Sequence, residues 1–230
     1  MGNMDSIKYL IDLFLHVDKN LASVIANFGG WSYGILFAVI FMETGLVVTP
    51  FLPGDSLLFA AGALSASLGA FNIWTLWGLM VAAAFLGDTV NYWIGHSIGS
   101  KAFDPNFKLR ITNYELKISK ILKPEYLHKA QSFYDKYGGK AIVLARFVPI
   151  VRTFAPFVAG VGKMNYGKFL MFNAVGGFIW VSLFTLGGYF LGNIPIIKEN
   201  FHYLVLIIVA VSVVPIVIEV IKARNEKKNL

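Results

Sequence analysis

The sequence predicts an all-α polytopic membrane protein built as an inverted repeat, with two opposed re-entrant helical hairpins plus transmembrane helices. Of its 230 residues 57% are apolar and 14% charged, against roughly 45–50% and about 25% in soluble domains. So few charges leave too little polar surface to cover a soluble chain of this size. Apolar runs of membrane-crossing length recur along the chain. Twice, an apolar stretch broken by prolines and charges is followed by an unbroken span closing in Gly-x3-Gly, first at Gly95 and Gly99, then at Gly188 and Gly192. Cysteine is absent, which excludes a disulfide framework, thiolate chemistry and Cys-ligated zinc or iron–sulfur clusters. No cofactor is expected.

Residues 1–30 set Leu10, Ile11, Phe14 and Leu15 against Asp5, Lys8, Asp12, Asp18 and Lys19, the pattern of an amphipathic, interfacial helix. The membrane domain follows over 31–192. Residues 31–70 are apolar but interrupted by Glu43, Pro50, Pro53, Gly54 and Asp55. Proline lacks an N–H and disfavours helix before it, so this stretch reads as two half-helices around a turn, a re-entrant hairpin. Irregular backbone at that depth is tolerated only beside protein or a water-filled cavity. Residues 71–99 form a full span with Asp88, Asn91 and Tyr92 toward one end.

Residues 100–140 turn polar, with nine Lys or Arg, among them Lys101, Lys108, Arg110 and Lys140, against Asp104, Glu115, Glu125 and Asp135. The positive-inside rule makes this segment cytoplasmic, and it reads as an amphipathic helix lying on anionic lipid. Residues 141–162 are again apolar and broken, by Arg146, Pro149, Arg152 and Pro156, which predicts a second re-entrant hairpin. Spans at 169–192 and within 201–221 follow, and Lys222, Arg224, Lys227 and Lys228 place the C-terminus in the cytoplasm. With the linker cytoplasmic and the uncharged turn near 65–72 external, the hairpins enter from opposite faces. Inverted repeats with broken helices carry their substrate site where the repeats meet.

The net charge of +7 suits nucleic acid as well as anionic headgroups. Beside membrane spans the basic segment belongs to lipid, and no nucleic-acid partner is expected.

Four ionisable residues interrupt apolar hairpins: Glu43, Asp55, Arg146 and Arg152. Each costs about 2.5–3.5 kcal/mol at the bilayer centre on insertion scales, which exceeds what pinning two hairpins together would need. The expectation is one polar chamber in which the two carboxylates balance the two guanidiniums. Arginine stays protonated and offers a planar fork matched to phosphate oxygens, so Arg146 and Arg152 suit an anionic headgroup. Buried carboxyl groups as a class exchange protons near neutral pH, which gives Glu43 and Asp55 a coupling or gating role. Asp88, Asn91, Tyr92 and His96 are candidates for the lining, with Trp93 and Trp180. The role of Asp88 stays open among a cap, a partner for an arginine and a proton relay.

The stretches Glu43-x-Gly45-x4-Pro50-Phe-Leu-Pro53-Gly54-Asp55, Gly87-Asp88-x3-Tyr92-x2-Gly95-His96-x2-Gly99 and Ala145-Arg146-Phe147-x-Pro149-x2-Arg152-x3-Pro156-x2-Ala159-Gly160 resemble the signature of the DedA family, whose domain is also called SNARE-associated or VTT. The resemblance runs from about residue 31 to 192. It implies a bacterial cytoplasmic-membrane protein, a transporter rather than an enzyme, that moves lipids between leaflets. The substrates it implies are undecaprenyl phosphate first, with phosphatidylethanolamine translocation or phospholipid scrambling as alternatives, and it implies dependence on the proton motive force. It places the family's essential acidic pair on Glu43 and Asp55 and its arginines on Arg146 and Arg152. One departure is His96, where the family pattern often has Arg or Lys.

Three other readings are weighed. A proton-coupled exporter of small cations is disfavoured by two arginines in the same chamber. A scaffold would act through residues 100–140. A hydrolase would use Gly95-His96-Ser97-Ile98-Gly99, which satisfies Gly-x-Ser-x-Gly, but that elbow needs a strand-to-helix turn and this segment ends an apolar helix. No His or carboxylate cluster has metal-ligand spacing. The oligomeric state is not legible in the sequence.

Overall fold

The computed structural model describes residues 27–46, 54–98, 108–111, 114–117, 132 and 134–194. The expected amphipathic helix before residue 27, Pro50 and Pro53, most of the polar segment 100–140, and the span and basic tail after 201 lie outside these residues. The described elements are α1 (Trp31–Gly45), α2 (Gly54–Leu68), α3 (Ile73–Ile98), β1 (Lys108–Ile111), β2 (Tyr114–Lys117), α4 (Lys140–Ala145), α5 (Pro149–Val161), α6 (Tyr166–Val181), a π-helical stretch Ser182–Leu186, and α7 (Gly187–Gly192).

Length separates the helices into two kinds. α3 has 26 residues, and α6, the π stretch and α7 run together as 27 residues, Tyr166–Gly192; at about 1.5 Å per residue each clears a hydrocarbon core of about 30 Å. α1 and α2 have 15 residues each and α5 has 13, shorter than the about 20 residues a perpendicular crossing needs. In both long helices only 39% of the most apolar window is buried. A core helix of a soluble protein would hide that surface. Here Trp74, Leu86, Trp93, Met171, Phe178 and Phe190 point outward, as a lipid-facing helix requires.

Local chemistry sets the boundaries. Gly69 takes φ +62 just after α2, a left-handed conformation that glycine adopts at little cost. Asn72 then caps α3: its Oδ1 accepts the backbone N–H groups of Trp74 and Thr75, each at 3.1 Å, while its own N–H donates to the Tyr33 hydroxyl at 2.7 Å. In the second hairpin the backbone leaves helix at Arg146, Val148 is extended at φ −116, and Pro149 opens α5 at its first turn, where the missing N–H is harmless. Pro156 departs from expectation. Rather than breaking the chain it sits inside α5, which continues to Val161; its cost is the helical N–H that the Arg152 carbonyl would otherwise accept. Gly54 is likewise the first residue of α2 rather than part of the turn.

The polar segment also differs. β1 and β2 pair antiparallel, with Arg110 opposite Glu115 and Lys108 opposite Lys117, where an amphipathic helix was expected. Lys-Leu-Arg-Ile and Tyr-Glu-Leu-Lys alternate with period two and are separated by two residues, the spacing of a hairpin. Among the described residues the regular structure of the apolar segments is helical.

The chain forms two compact units, whose described parts are residues 27–36, 54–80 and 181–194 for the first, and 37–46 with 81–180 for the second. Each contains the same close packing. In the first, a Cβ on Gly62 of α2 would collide with the Thr185 carbonyl, and one on Gly188 with the Phe59 carbonyl. In the second, a Cβ on Gly160 of α5 would collide with the Tyr92 carbonyl, and one on Gly95 with the Phe157 carbonyl. The short helix therefore carries Phe-x2-Gly in both units, and the long helix carries a residue three before its own glycine. Only glycine lets two backbones approach this closely. The second unit's core is Ile142, Phe154, Phe157, Val158 and Phe169 with the Tyr92 ring.

These contacts predict opposite outcomes for one substitution. Gly62→Ala and Gly160→Ala should each destabilise the detergent-purified protein by about 1–3 kcal/mol through overpacking. Gly78→Ala, where nothing lies within 4 Å, should be neutral or stabilising by up to about 1 kcal/mol. Thermal unfolding followed by loss of monodispersity checks both.

Candidate functional site

The buried charges of the second unit gather around one small cavity, lined by Glu43 and Thr44 of α1, Asp88 of α3, Arg146 in the bend between α4 and α5, Arg152 and Thr153 of α5, and Trp180 of α6. Arg146 is placed there because its backbone closes α4 as the chain turns toward Pro149. Its Nη2 donates to Asp88 Oδ2 at 2.5 Å and to Asn173 Oδ1 at 2.7 Å, and both side chains of the ion pair are 5% exposed. Asn173 is oriented in turn, since its Nδ2 donates to the Phe85 carbonyl at 3.0 Å, which leaves its oxygen facing the guanidinium. Gly176 makes room for the arginine, because a Cβ there would lie 3.1 Å from Arg146 Nε.

Arg152, one turn into α5, donates through Nη2 to Glu43 Oε1, with the arginine side chain 14% exposed and the glutamate 2%. The two guanidiniums share one aromatic surface: Arg146 Cζ lies 5.8 Å and Arg152 Cζ 5.6 Å from the centre of a Trp180 ring, within the range of a cation–π contact. Asn91, fully buried, donates to the carbonyls of Thr44 at 3.0 Å and Thr153 at 2.8 Å, so it fastens the backbone beside Glu43 to the backbone beside Arg152. The cluster holds two positive and two negative groups and is neutral as a whole. Its cavity has room for about one water molecule. Arg146 Nε is buried without a hydrogen-bond partner.

The structure thus brings together Glu43, Arg146 and Arg152 of the expected residues, and revises their pairing. Asp88 is the carboxylate that balances Arg146, which closes the three-way choice for that residue. Asp55 lies in the first turn of α2, in the other unit. Tyr92 is a core residue, its hydroxyl donating to the Met164 carbonyl at 2.5 Å and its ring stacked 4.4 Å from Phe169. His96 stacks on Tyr92 and meets Trp93 edge-on rather than lining the cavity. Ser97 donates back to the Trp93 carbonyl at 2.8 Å inside α3, which is helix geometry and no nucleophile elbow. Among the described residues no group of three or more His, Cys, Asp or Glu is placed to hold a metal. Asn173 is the site residue that sequence reading missed. Its signal was present, as a lone amide in the span 166–192 before its final turn, where an unpaired polar group is costly.

Breaking a buried pair on one side costs about 3–5 kcal/mol because the surviving charge is left uncompensated. Asp88→Asn should therefore destabilise the protein by that order. Adding Asn173→Asp returns a carboxylate to the same guanidinium, so the double variant should recover at least half of the loss in thermal unfolding.

The VTT domain family matches residues 50–190, a stretch that holds every ionised residue of the cluster except Glu43. Protein DedA of Escherichia coli K12 is 52% identical over 224 residues, covering 96% of this chain and 97% of that protein. An uncharacterized membrane protein of Mycobacterium tuberculosis is 41% identical over 197 residues, 85% of this chain and 81% of its own. Inner membrane protein YghB of Escherichia coli K12 is 33% identical over 183 residues, 80% and 75% of the two chains. No solved structure gives a significant match. With the family's domain and a near full-length relative in agreement, the chain belongs to the DedA family of VTT-domain membrane proteins.

Proposed function

We propose that this chain is a bacterial inner-membrane transporter that moves a phosphate-bearing lipid between leaflets, undecaprenyl phosphate before phosphatidylethanolamine or general scrambling. The observation that carries it is the pair of guanidiniums over the Trp180 face, each held by one carboxylate in an apolar interior. Two arginine forks converging on one small space suit a phosphate, which accepts several charge-assisted hydrogen bonds at once. They disfavour a cationic drug as substrate.

The cavity is too small for a headgroup while both ion pairs are closed, so binding has to open one of them. Arg152 with Glu43 is the pair to open, since its arginine side chain is 14% exposed against 5% for Arg146. A phosphate monoester carries between one and two negative charges, and adding it to a neutral cluster leaves an excess in low dielectric. Protonation of the displaced Glu43 removes one negative charge from the cluster and would couple movement to a proton gradient, with Asp55 proposed as a second proton-exchanging group. The lipid tail stays in the bilayer meanwhile. The repeated Phe-x2-Gly packing supports an inverted repeat with opposed re-entrant hairpins, an architecture that exposes such a site to each leaflet in turn. The relative YghB bears the name of an inner membrane protein, which supports the same location here; the lysines and arginines of residues 100–140 and of the C-terminus are what favour a cytoplasmic side for both.

The test reconstitutes the purified chain in liposomes and follows leaflet-to-leaflet movement of undecaprenyl phosphate and of phosphatidylethanolamine, with and without a pH gradient. Arg152→Ala and Arg146→Ala, each confirmed folded, should lose about 100-fold or more in rate, the worth of a 3 kcal/mol contact. Wild-type rates in both variants would overturn the proposal. Equal movement of both lipids would make the chain a scramblase, and movement of neither would return the small-solute exporter.

A further inference from the structure

A second cavity, of about 450 Å³, lies in the same unit away from the ion pairs, lined by Tyr134, Gly139, Met164, Asn165, Lys168, Met171 and Phe172. Its size suits a headgroup with its glycerol. We propose that it binds the headgroup of an anionic phospholipid from the surrounding bilayer, as a site separate from the buried arginines and independent of the transport reading.

The one charged side chain that lines it is Lys168, in a stretch of sequence rich in lysine. Asp135 is the last acidic residue before Glu199, and Lys136, Lys140, Lys163 and Lys168 all fall between. Lys168 lines the cavity itself and is exposed. The ammonium is the attraction, rather than the start of α6, because Asn165 Oδ1 already accepts the Lys168 backbone N–H at 3.1 Å. The Tyr134 hydroxyl and the Asn165 amide, both lining residues, offer polar partners to phosphate and glycerol oxygens.

The remaining lining is apolar and continues down the helix. Met171, Val175 and Phe178 are 56%, 48% and 51% exposed, and with Lys168 they recur every three or four residues, one face of α6. A charged head at Lys168 and an acyl chain along that face match an amphiphile better than a free anion. The loop that shapes the rim is fixed in place: Lys163 holds a left-handed backbone at φ +52, and the next residue, Met164, is tied by its carbonyl to the buried Tyr92 hydroxyl. Backbone held in a sparsely populated region persists only when its surroundings over-determine it.

The test measures thermal unfolding of the full chain in neutral detergent as phosphatidylglycerol, phosphatidylcholine or glycerol phosphate is titrated in. Phosphatidylglycerol should raise the midpoint saturably, and the other two should leave it unchanged. Lys168→Gln and Lys168→Glu should weaken the apparent affinity for phosphatidylglycerol by about fivefold or more, the worth of one lysine at an anionic surface. Arg152→Ala should keep the wild-type response, which separates this site from the buried cluster. An unchanged response in both Lys168 variants, a loss in Arg152→Ala, or equal shifts with phosphatidylcholine would overturn the proposal. A response to glycerol phosphate alone would assign the cavity to a free anion and overturn it as well.

Discussion

An arginine in an apolar interior keeps its charge, so the protein around it has to supply the counter-charge and the hydrogen bonds that water no longer gives. Much of the second unit is arranged to meet that requirement. Asp88 sits on α3 where it reaches Arg146, Asn173 is turned by the Phe85 carbonyl to present its oxygen, and Gly176 leaves the guanidinium space. Asn91 holds the strip of backbone beside Glu43 against the one beside Arg152. The break in helix before Pro149 is what lets Arg146 and Arg152, six residues apart, reach the same indole.

The two pairs differ in exposure. Arg146 has a carboxylate, an amide and an aromatic face, and removing one of these leaves the others. Arg152 pairs with Glu43 and lies against the same Trp180 side chain, at greater exposure. Buried ion pairs contribute little net stability, since desolvation offsets much of the attraction. Retaining two of them side by side is therefore better explained by what they exchange for than by what they hold together. In the proposed function, the more enclosed Arg146 would anchor a phosphate and the more exposed Arg152 would open to it, with both guanidiniums against Trp180.

The helical, membrane-spanning character is legible in the sequence because membrane segments obey coarse rules. Uninterrupted apolar length marked α3 and the helix from Tyr166, and prolines with charges marked the broken stretches. Glycine spacing marked the close contacts as well, since Gly95 and Gly188 fall where backbone meets backbone. Where sequence and structure differ, the reasons are physical. A proline inside a short helix costs one hydrogen bond that packing can carry, so Pro156 sits within α5 rather than breaking it. The period-two alternation of 108–117 makes a strand pair despite the high charge of the segment. Which carboxylate meets which arginine depends on tertiary approach, so the sequence leaves Asp88 open among three roles and the structure selects the arginine partner. Asn173 is not legible for the same cause, its amide having no motif around it.

The central claim is that Glu43 gives up Arg152 to a phosphate and takes a proton in exchange. Infrared difference spectroscopy on the reconstituted protein, with and without undecaprenyl phosphate, reads this directly. The account predicts that adding the lipid produces a protonated-carboxyl band at the expense of a carboxylate band, and that the change disappears in Glu43→Gln. Saturating lipid with the carboxylate signal of Glu43 unaltered would contradict it.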